Sequence, residues 1–257
     1  MLIEPALEQI LAFCAEDPIE RVFLEDVARR GLARFLGVEH DGTLAALCHF
    51  GANIVPSGGG CDAFADEAAA RSTRMIIGEE QAVGELWDAA RSVMPKPRED
   101  RPGQPVYVVD EAPEPEPTGL RDAVLEDLGV LLPACAATHE EELGIDPLAR
   151  DPEGFRRRTL GQIQEGRSWL WVEDGTILFK AEASAWTESA VQLQQVWVDP
   201  EVRRRGYGTR GLRDLCGRLL RRTPAVCLFV RPENEAAIRL YETTGLRRVG
   251  TYRSLLF

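Results

Sequence analysis

The residues Val196 to Gly208 read V-W-V-D-P-E-V-R-R-R-G-Y-G, a spacing that could hold an anion. An apolar, strand-like run stops at Pro200, an R-x-x-G-x-G turn follows, and then Leu212, Leu215, Cys216, Leu219 and Leu220 recur on one helical face. A helix beginning in such a turn leaves its first N–H groups without partners, pointing back into the turn. The glycines admit a ligand close to the backbone and permit unusual φ angles. Within residues 198–222, eight arginines stand against Asp199, Glu201 and Asp214. Free amides, the positive end of a helix dipole and this basic island suit a pyrophosphate.

A second pattern, N-x-x-A-x-x-x-Y-x-x-x-G, runs from Asn234 to Gly245. It reads as a helix with Asn234 as N-cap and Gly245 as stop. Between the two patterns lies Ala225–Arg231, an apolar segment suited to a buried strand.

The elements that must position these residues follow from turn chemistry and period. In the second half, Leu120–Val124 reads as a short strand and helices are expected near 127–142 and 152–165. Ser168–Val172 and Thr176–Ala183 are strands joined by Glu173-Asp174-Gly175, and Ala190–Val198 is the strand feeding the glycine turn. Gly208–Arg222 is its helix, and Leu246–Gly250 and Tyr252–Phe257 are closing strands. The first half repeats this order more weakly: helices near 6–15 and 20–31, strands Arg34–Glu39, Thr43–His49 and Gly51–Pro56, a helix near 62–71, the strand Thr73–Gly78, the helix Glu79–Arg91 and the strand Pro105–Asp110. The two Asp-Gly turns are offset by 133 residues (174 − 41), and Ser184–Ser189 is the expected insert. Glu111 to Thr118, EAPEPEPT, is expected to be an extended, solvated linker, with the boundary near residue 115.

The chain has 257 residues, enough for one large or two small domains, and a net charge of −12. The charge is uneven: residues 1–118 carry 22 acidic and 10 basic side chains, while residues 119–257 carry 20 of each. An acidic whole argues against nucleic acid, and a local basic island argues for a small phosphorylated ligand. Glu4 and Glu8 stand where a signal peptide would need positive charge, and no apolar run suits a membrane span, so a cytoplasmic location is expected. The six cysteines form no C-x-x-C pair and no ligand set with His40, His49 or His139, so neither a disulfide framework nor a metal site is expected. No feature of the sequence sets an oligomeric state.

The two ordered patterns and the strand between them resemble the GNAT superfamily of acyl-CoA N-acyltransferases. The resemblance covers residues 119–257, and the weaker first half is similar to a degenerate second copy, a tandem layout like that of certain actinobacterial acetyltransferases. It implies an α+β fold of two tandem GNAT-like domains, each a mixed, mostly antiparallel splayed sheet flanked by helices. The expected division is 1–112 for the degenerate domain, 113–118 for the Pro/Glu linker and 119–257 for the catalytic domain. The resemblance implies that acetyl-CoA is the acyl donor, with its pantetheine arm between Ala190–Val198 and Ala225–Arg231. Val196, Trp197 and Val198 would line that arm, and the amides of Arg204, Arg205, Gly206, Tyr207, Gly208 and Thr209, with Arg203, would hold the pyrophosphate. Asn234 would reach the arm or cap its helix, and Tyr241 would stand near the thioester sulfur.

The implied reaction is direct attack of an amine on the thioester. It needs a proton acceptor for the ammonium, an oxyanion donor and an acid for the thiolate. Tyr241 suits the acid; Ala237 and Ile238 share its helical stripe, so core packing is the competing role. Glu182, ending a hairpin strand, is the first candidate base and Glu188 the second; both could equally be solvated surface carboxylates. Gln192, Gln194 and Gln195 stand where many relatives place a carboxylate, and an already neutral amine would need no base. Trp197 or Trp186 could narrow or extend an acyl tunnel. Ser57-Gly-Gly-Gly-Cys61 lacks the arginine of the second-half turn, and Asp62, Asp66 and Glu67 load negative charge onto the helix start, which would repel a pyrophosphate. A Cys61–His49 nucleophile pair lacks a third partner. The first half is therefore expected to be catalytically silent, shaping the acceptor pocket. Two other activities fit the same pocket: a non-catalytic acyl-CoA-binding regulatory module, and an acyltransferase using a longer acyl-CoA.

Overall fold

The computed structural model describes every residue except Ala33 and Pro115, the second at the centre of the linker. The first half comprises β1 (Leu2–Ile3), α1 (Leu7–Glu16), α2 (Val22–Arg29), β2 (Arg34–His40), β3 (Thr43–Phe50), β4 (Asn53–Gly58), α3 (Ala65–Ala69), β5 (Met75–Glu79), α4 (Glu80–Ala90) and β6 (Glu99–Val109). The second comprises β7 (Arg121–Asp122), α5 (Leu128–Leu143), α6 (Pro147–Arg150), α7 (Pro152–Gln164), β8 (Ser168–Glu173), β9 (Thr176–Trp186), β10 (Val191–Trp197), α8 (Tyr207–Leu219), β11 (Val226–Phe229), α9 (Glu235–Thr244) and β12 (Arg247–Leu256). The α+β class and the repeated order agree with the sequence reading. Both Asp-Gly turns adopt the left-handed conformation at both positions, with φ of 51° and 82° at Asp41-Gly42 and 47° and 78° at Asp174-Gly175. These are the angles that favour Asn or Asp followed by Gly in a tight hairpin.

All strands join one 12-stranded sheet in the order β1-β2-β3-β4-β5-β12-β6-β11-β10-β9-β8-β7. Among the described residues only β4–β5 and β10–β11 run parallel, and each parallel pair is brief. The two halves exchange their last strands. β6, from the first half, pairs with β11 through Val106 to Val109; β12, from the second, pairs with β5 through Tyr252 to Leu256. The expected pair of closing strands is one continuous strand with a register shift between Arg248 and Gly250. Further differences are local: β6 starts at Glu99 rather than Pro105, the helix expected near 62–71 is a 3-10 turn followed by the short α3, β9 continues to Trp186, into the expected insert, and α6 adds a turn of helix.

Helices cover both faces of the sheet. On the second half, α8 and α9 close over Tyr107, Phe179, Leu212, Leu215, Leu228 and Tyr241. α5 and α7 cover the opposite face around Leu131, Phe155, Leu170 and Trp197. α2 crosses from the first half: Val22, Ile19 and Phe23 pack against Ala185, Ala190, Ala225 and Cys227. All six cysteines are buried and unpaired, as small apolar side chains of the core. Among the described residues no helix is long and apolar enough to cross a membrane.

Candidate active site

β10 and β11 pair only at Val191 with Val226 and Gln192 with Cys227, and beyond these residues they part. β10 also bulges. Gln194 pairs with Glu182 and Trp197 with Lys180, so one extra residue is accommodated, and Gln195 takes a φ of 50°. The buried Lys180 holds this bulge, donating from Nζ to Oε1 and to the carbonyl oxygen of Gln195 at 3.1 and 3.3 Å. A fully enclosed lysine with two oxygen partners is the arrangement that makes burial of its charge tolerable.

At the open end of the gap lies the glycine turn. A short 3-10 turn, Pro200–Val202, leads to Arg204 at φ 64° and to Gly206, the α8 N-cap, at φ 82°. Among the described residues, no group accepts a hydrogen bond from the amides of Arg204 to Thr209. Arg204 and Arg205 are exposed and form no ion pair among the described residues. A Cβ on Gly206 would meet nothing, whereas one on Gly208 would touch Leu240 and Val198 at 3.4 Å. Gly211 anchors the helix, since a Cβ there would lie 2.4 Å from the Phe179 ring. The helix start therefore sits close on the sheet with its donors free, the arrangement that binds anions.

The other expected residues fall around this gap. Val196 and Val198 pack toward α8 and α9, while Trp197 packs on the other face, its Nε1 donating to Glu141 at 3.4 Å. Arg203 is engaged: Nε donates to the Val198 carbonyl at 3.0 Å, and Nη2 to both oxygens of Glu141 at 2.9 and 3.0 Å. Asn234 caps α9 by accepting from the Ala237 amide at 3.1 Å. Tyr241 is 6 % exposed, with its ring 5.9 Å from that of Tyr107 on β6. Burial, reinforced by the charge of Glu142, holds its phenol well above the usual tyrosine range. Glu182 is enclosed beneath α5, accepting from the Cys135 thiol at 3.0 Å and from Gln194 Nε2 at 3.4 Å. Each of its oxygens accepts one of these bonds. Glu188 and Trp186 lie at the far end of β9 with Arg29 and Arg222, around a shallow cavity away from the gap.

Sequence reasoning missed the last turn of α5. Arg231, just beyond β11, donates to the Glu141 carbonyl at 3.1 Å, so this turn reaches from the end of β10 to the end of β11. Arg101 and Arg98, flanking the start of β6, donate to the carbonyls of Glu142 and Leu143 at 3.0 and 3.2 Å. Cations on the last carbonyls of a helix both satisfy hydrogen bonds and complement its dipole. Three consecutive glutamates ending a helix read in sequence as a solvated face, which is why the signal was lost.

The first half holds a closed counterpart. β4 and β5 pair only at Asn53 with Met75 and Ile54 with Ile76, then part. In the turn that follows, the Glu85 carboxylate accepts from the amides of Gly60 and Cys61 at 2.8 and 3.0 Å. A side chain of the protein thus occupies the donors that the second half leaves free. Nearby, the buried Ser57 donates to Glu20 at 2.7 Å and accepts from Arg21 at 3.2 Å. His49 lies between Phe23 and Phe35, not beside Cys61. Among the described residues, no group of three or more His, Cys, Asp or Glu is placed to hold a metal ion.

Parted strands, a bulge and an open helix start together form a cleft with free anion-binding donors at its mouth. Residues 136–246 match the Acetyltransferase (GNAT) family. Residues 33–131 match a family described only as a domain of unknown function. The N-alpha-acetyltransferase RimI of Mycobacterium tuberculosis is 40% identical over 62 residues, which is 24% of this chain and 38% of that protein. The likeness therefore spans little more than a third of that relative. Among solved structures, a GCN5-related N-acetyltransferase from Sphaerobacter thermophilus superposes with a TM-score of 0.60 at 19% identity, covering 99% of this chain and 94% of that one. A tandem GNAT protein from the clavulanic acid biosynthesis pathway gives 0.59 at 12% identity, covering 100% and 98%. At such identities the two structures speak for the fold, which is that of a tandem GNAT protein.

Proposed function

We propose that the chain is an acetyl-CoA-dependent N-acetyltransferase, transferring the acetyl group directly from the thioester to an amine acceptor. The observation that carries this reading is the row of unpartnered amides from Arg204 to Thr209, at the mouth of the gap between β10 and β11. The amides and the exposed Arg204 and Arg205 would take the pyrophosphate, and the exposed backbone of Val196 and Val198 would take the pantetheine arm. Tyr241 would give its proton to the departing thiolate, and the burial that favours its neutral form keeps that proton on the phenol until the thiolate forms. In this reading residues 119–257 form the catalytic unit, residues 1–112 contribute no second reaction, and 113–118 connect them. The enzyme would work in the cytoplasm on a small or peptide amine, without nucleic acid, membrane or metal.

Calorimetry with acetyl-CoA tests the reading. Gly206→Glu puts a carboxylate among the free amides and a side chain at a left-handed position, and is expected to weaken binding at least tenfold without unfolding the protein. Unchanged affinity in this variant would sink the proposal. Tight binding by the wild type with no turnover across a broad amine panel would instead favour a non-catalytic acyl-CoA-binding module.

A further inference from the structure

Glu142 occupies a position that none of the expected roles assigns. It lies seven residues, two helical turns, beyond Cys135, whose thiol touches Glu182 beneath α5. Its side chain therefore shares the sheet-facing side of the helix, at the point where α5 runs out over the parted strands. The Glu141–Arg203 pair fixes that turn to the β10 side, and the Arg231 bond fixes it to the β11 side. Tyr241 approaches the same gap from α9, across the sheet.

Among the described residues the Glu142 carboxylate forms no ion pair or hydrogen bond, whereas its neighbour Glu141 is fully engaged. Glu142 is exposed to solvent. The protein crowded around it nonetheless raises its pKa; the Glu182 charge adds to this, and Lys180, Arg231 and Arg158 oppose it. Arg98 and Arg101 on the β6 side face the helix carbonyls.

We infer that Glu142 is the proton acceptor for the attacking amine, an assignment that rests on the acetyl-transfer reading above. The ammonium gives one proton to Glu142, and the freed nitrogen bonds to the thioester carbonyl carbon. Collapse breaks the carbon–sulfur bond, and the thiolate takes the phenolic proton of Tyr241. The second proton of the new amide nitrogen restores Tyr241, and Glu142 releases its proton to water. Arg98 and Arg101 are positioning residues in this scheme, since they hold the turn that carries Glu142.

The test compares wild type with Glu142→Gln, using acetyl-CoA affinity by calorimetry and thiol release with two probes. Hydroxylamine is uncharged at neutral pH and needs no base; an alkylamine probe (a glycyl peptide or spermidine) is an ammonium and does. Glu142→Gln is expected to bind acetyl-CoA like the wild type and to keep hydroxylamine turnover within about twofold. It should lose about 100-fold or more with the alkylamine, the usual contribution of a general base, and regain rate as rising pH deprotonates the amine. Equal losses with both probes, no loss with the alkylamine, or wild-type turnover confined to hydroxylamine would each overturn the assignment. Failure of the wild type to bind acetyl-CoA, or binding with turnover of neither probe, would overturn the underlying reading instead.

Discussion

Arg167 and Asp26 are joined by two charge-assisted hydrogen bonds of 2.7 and 3.0 Å, between the residue before β8 and the middle of α2. Their side chains are only 11% and 4% exposed, and Arg30 extends the cluster to Glu165 at 2.7 Å. This is a contact between halves, made where α2 lies against the second-half sheet.

A buried ion pair need not be worth more than an apolar pair of the same shape, but removing one partner strands the other charge. Asp26→Ala is therefore expected to lower the unfolding free energy by about 3–5 kcal/mol, read by urea denaturation. Adding Arg167→Met should recover much of the loss. A cost below about 1 kcal/mol would show that the pair behaves like an exposed surface bridge.

The Glu85 carboxylate in the Gly60–Cys61 turn leads to a prediction about stoichiometry. Because that turn is filled from within and Glu20 and Arg21 occupy the neighbouring space, acetyl-CoA should titrate to a single site per chain. The Gly206→Glu variant should leave no residual site of similar affinity in the first half. Two equivalents bound by the wild type would contradict the closed state of the Glu85 turn.

Glu20 makes stability depend on pH. Burial, partly opposed by the Ser57 hydrogen bond and Arg21, raises its pKa from 4.5 to about 7. Between those values the folded protein holds a proton that the unfolded chain has released, so stability falls as pH rises through this window. The contribution is complete below 4.5 and lost as pH passes about 7. Glu20→Gln cannot titrate, so the wild-type stability relative to this variant should decline across the window in denaturation at a series of pH values. A difference that stays level would show that Glu20 ionises alike in both states.

Local chemistry was the part of this protein most legible in its sequence. Asp41-Gly42 and Asp174-Gly175 announced their hairpins because few other pairs tolerate two left-handed residues in succession. Asn234 and Gly245 marked both ends of α9 for similar reasons. What escaped were relations between distant residues. Gly250 interrupts the alternation of β12 and made it read as two strands, and nothing local revealed that its end would pair with β5. Glu85 and Glu142 sit in helices among other acidic residues, where a carboxylate ordinarily means water. Their roles depend on the turn of β4 and the parting of β10 from β11. Glu182 is a related case: its strand is legible in the sequence, but the Cys135 thiol that donates to it stands 47 residues away in the chain.

The exchange of β6 and β12 has a consequence for biosynthesis. Met75 pairs with Asn53 of β4 on one side and with Leu256 on the other, so the second edge of β5 stays unpaired until residues 252–256 have left the ribosome. Folding in order of synthesis, the usual habit of chains with two similar halves, therefore leaves the first half incomplete until the end of β12 is made. Until then the edge of β5 and the apolar face beneath it stay uncovered, in a nascent chain that already carries both halves of the repeat.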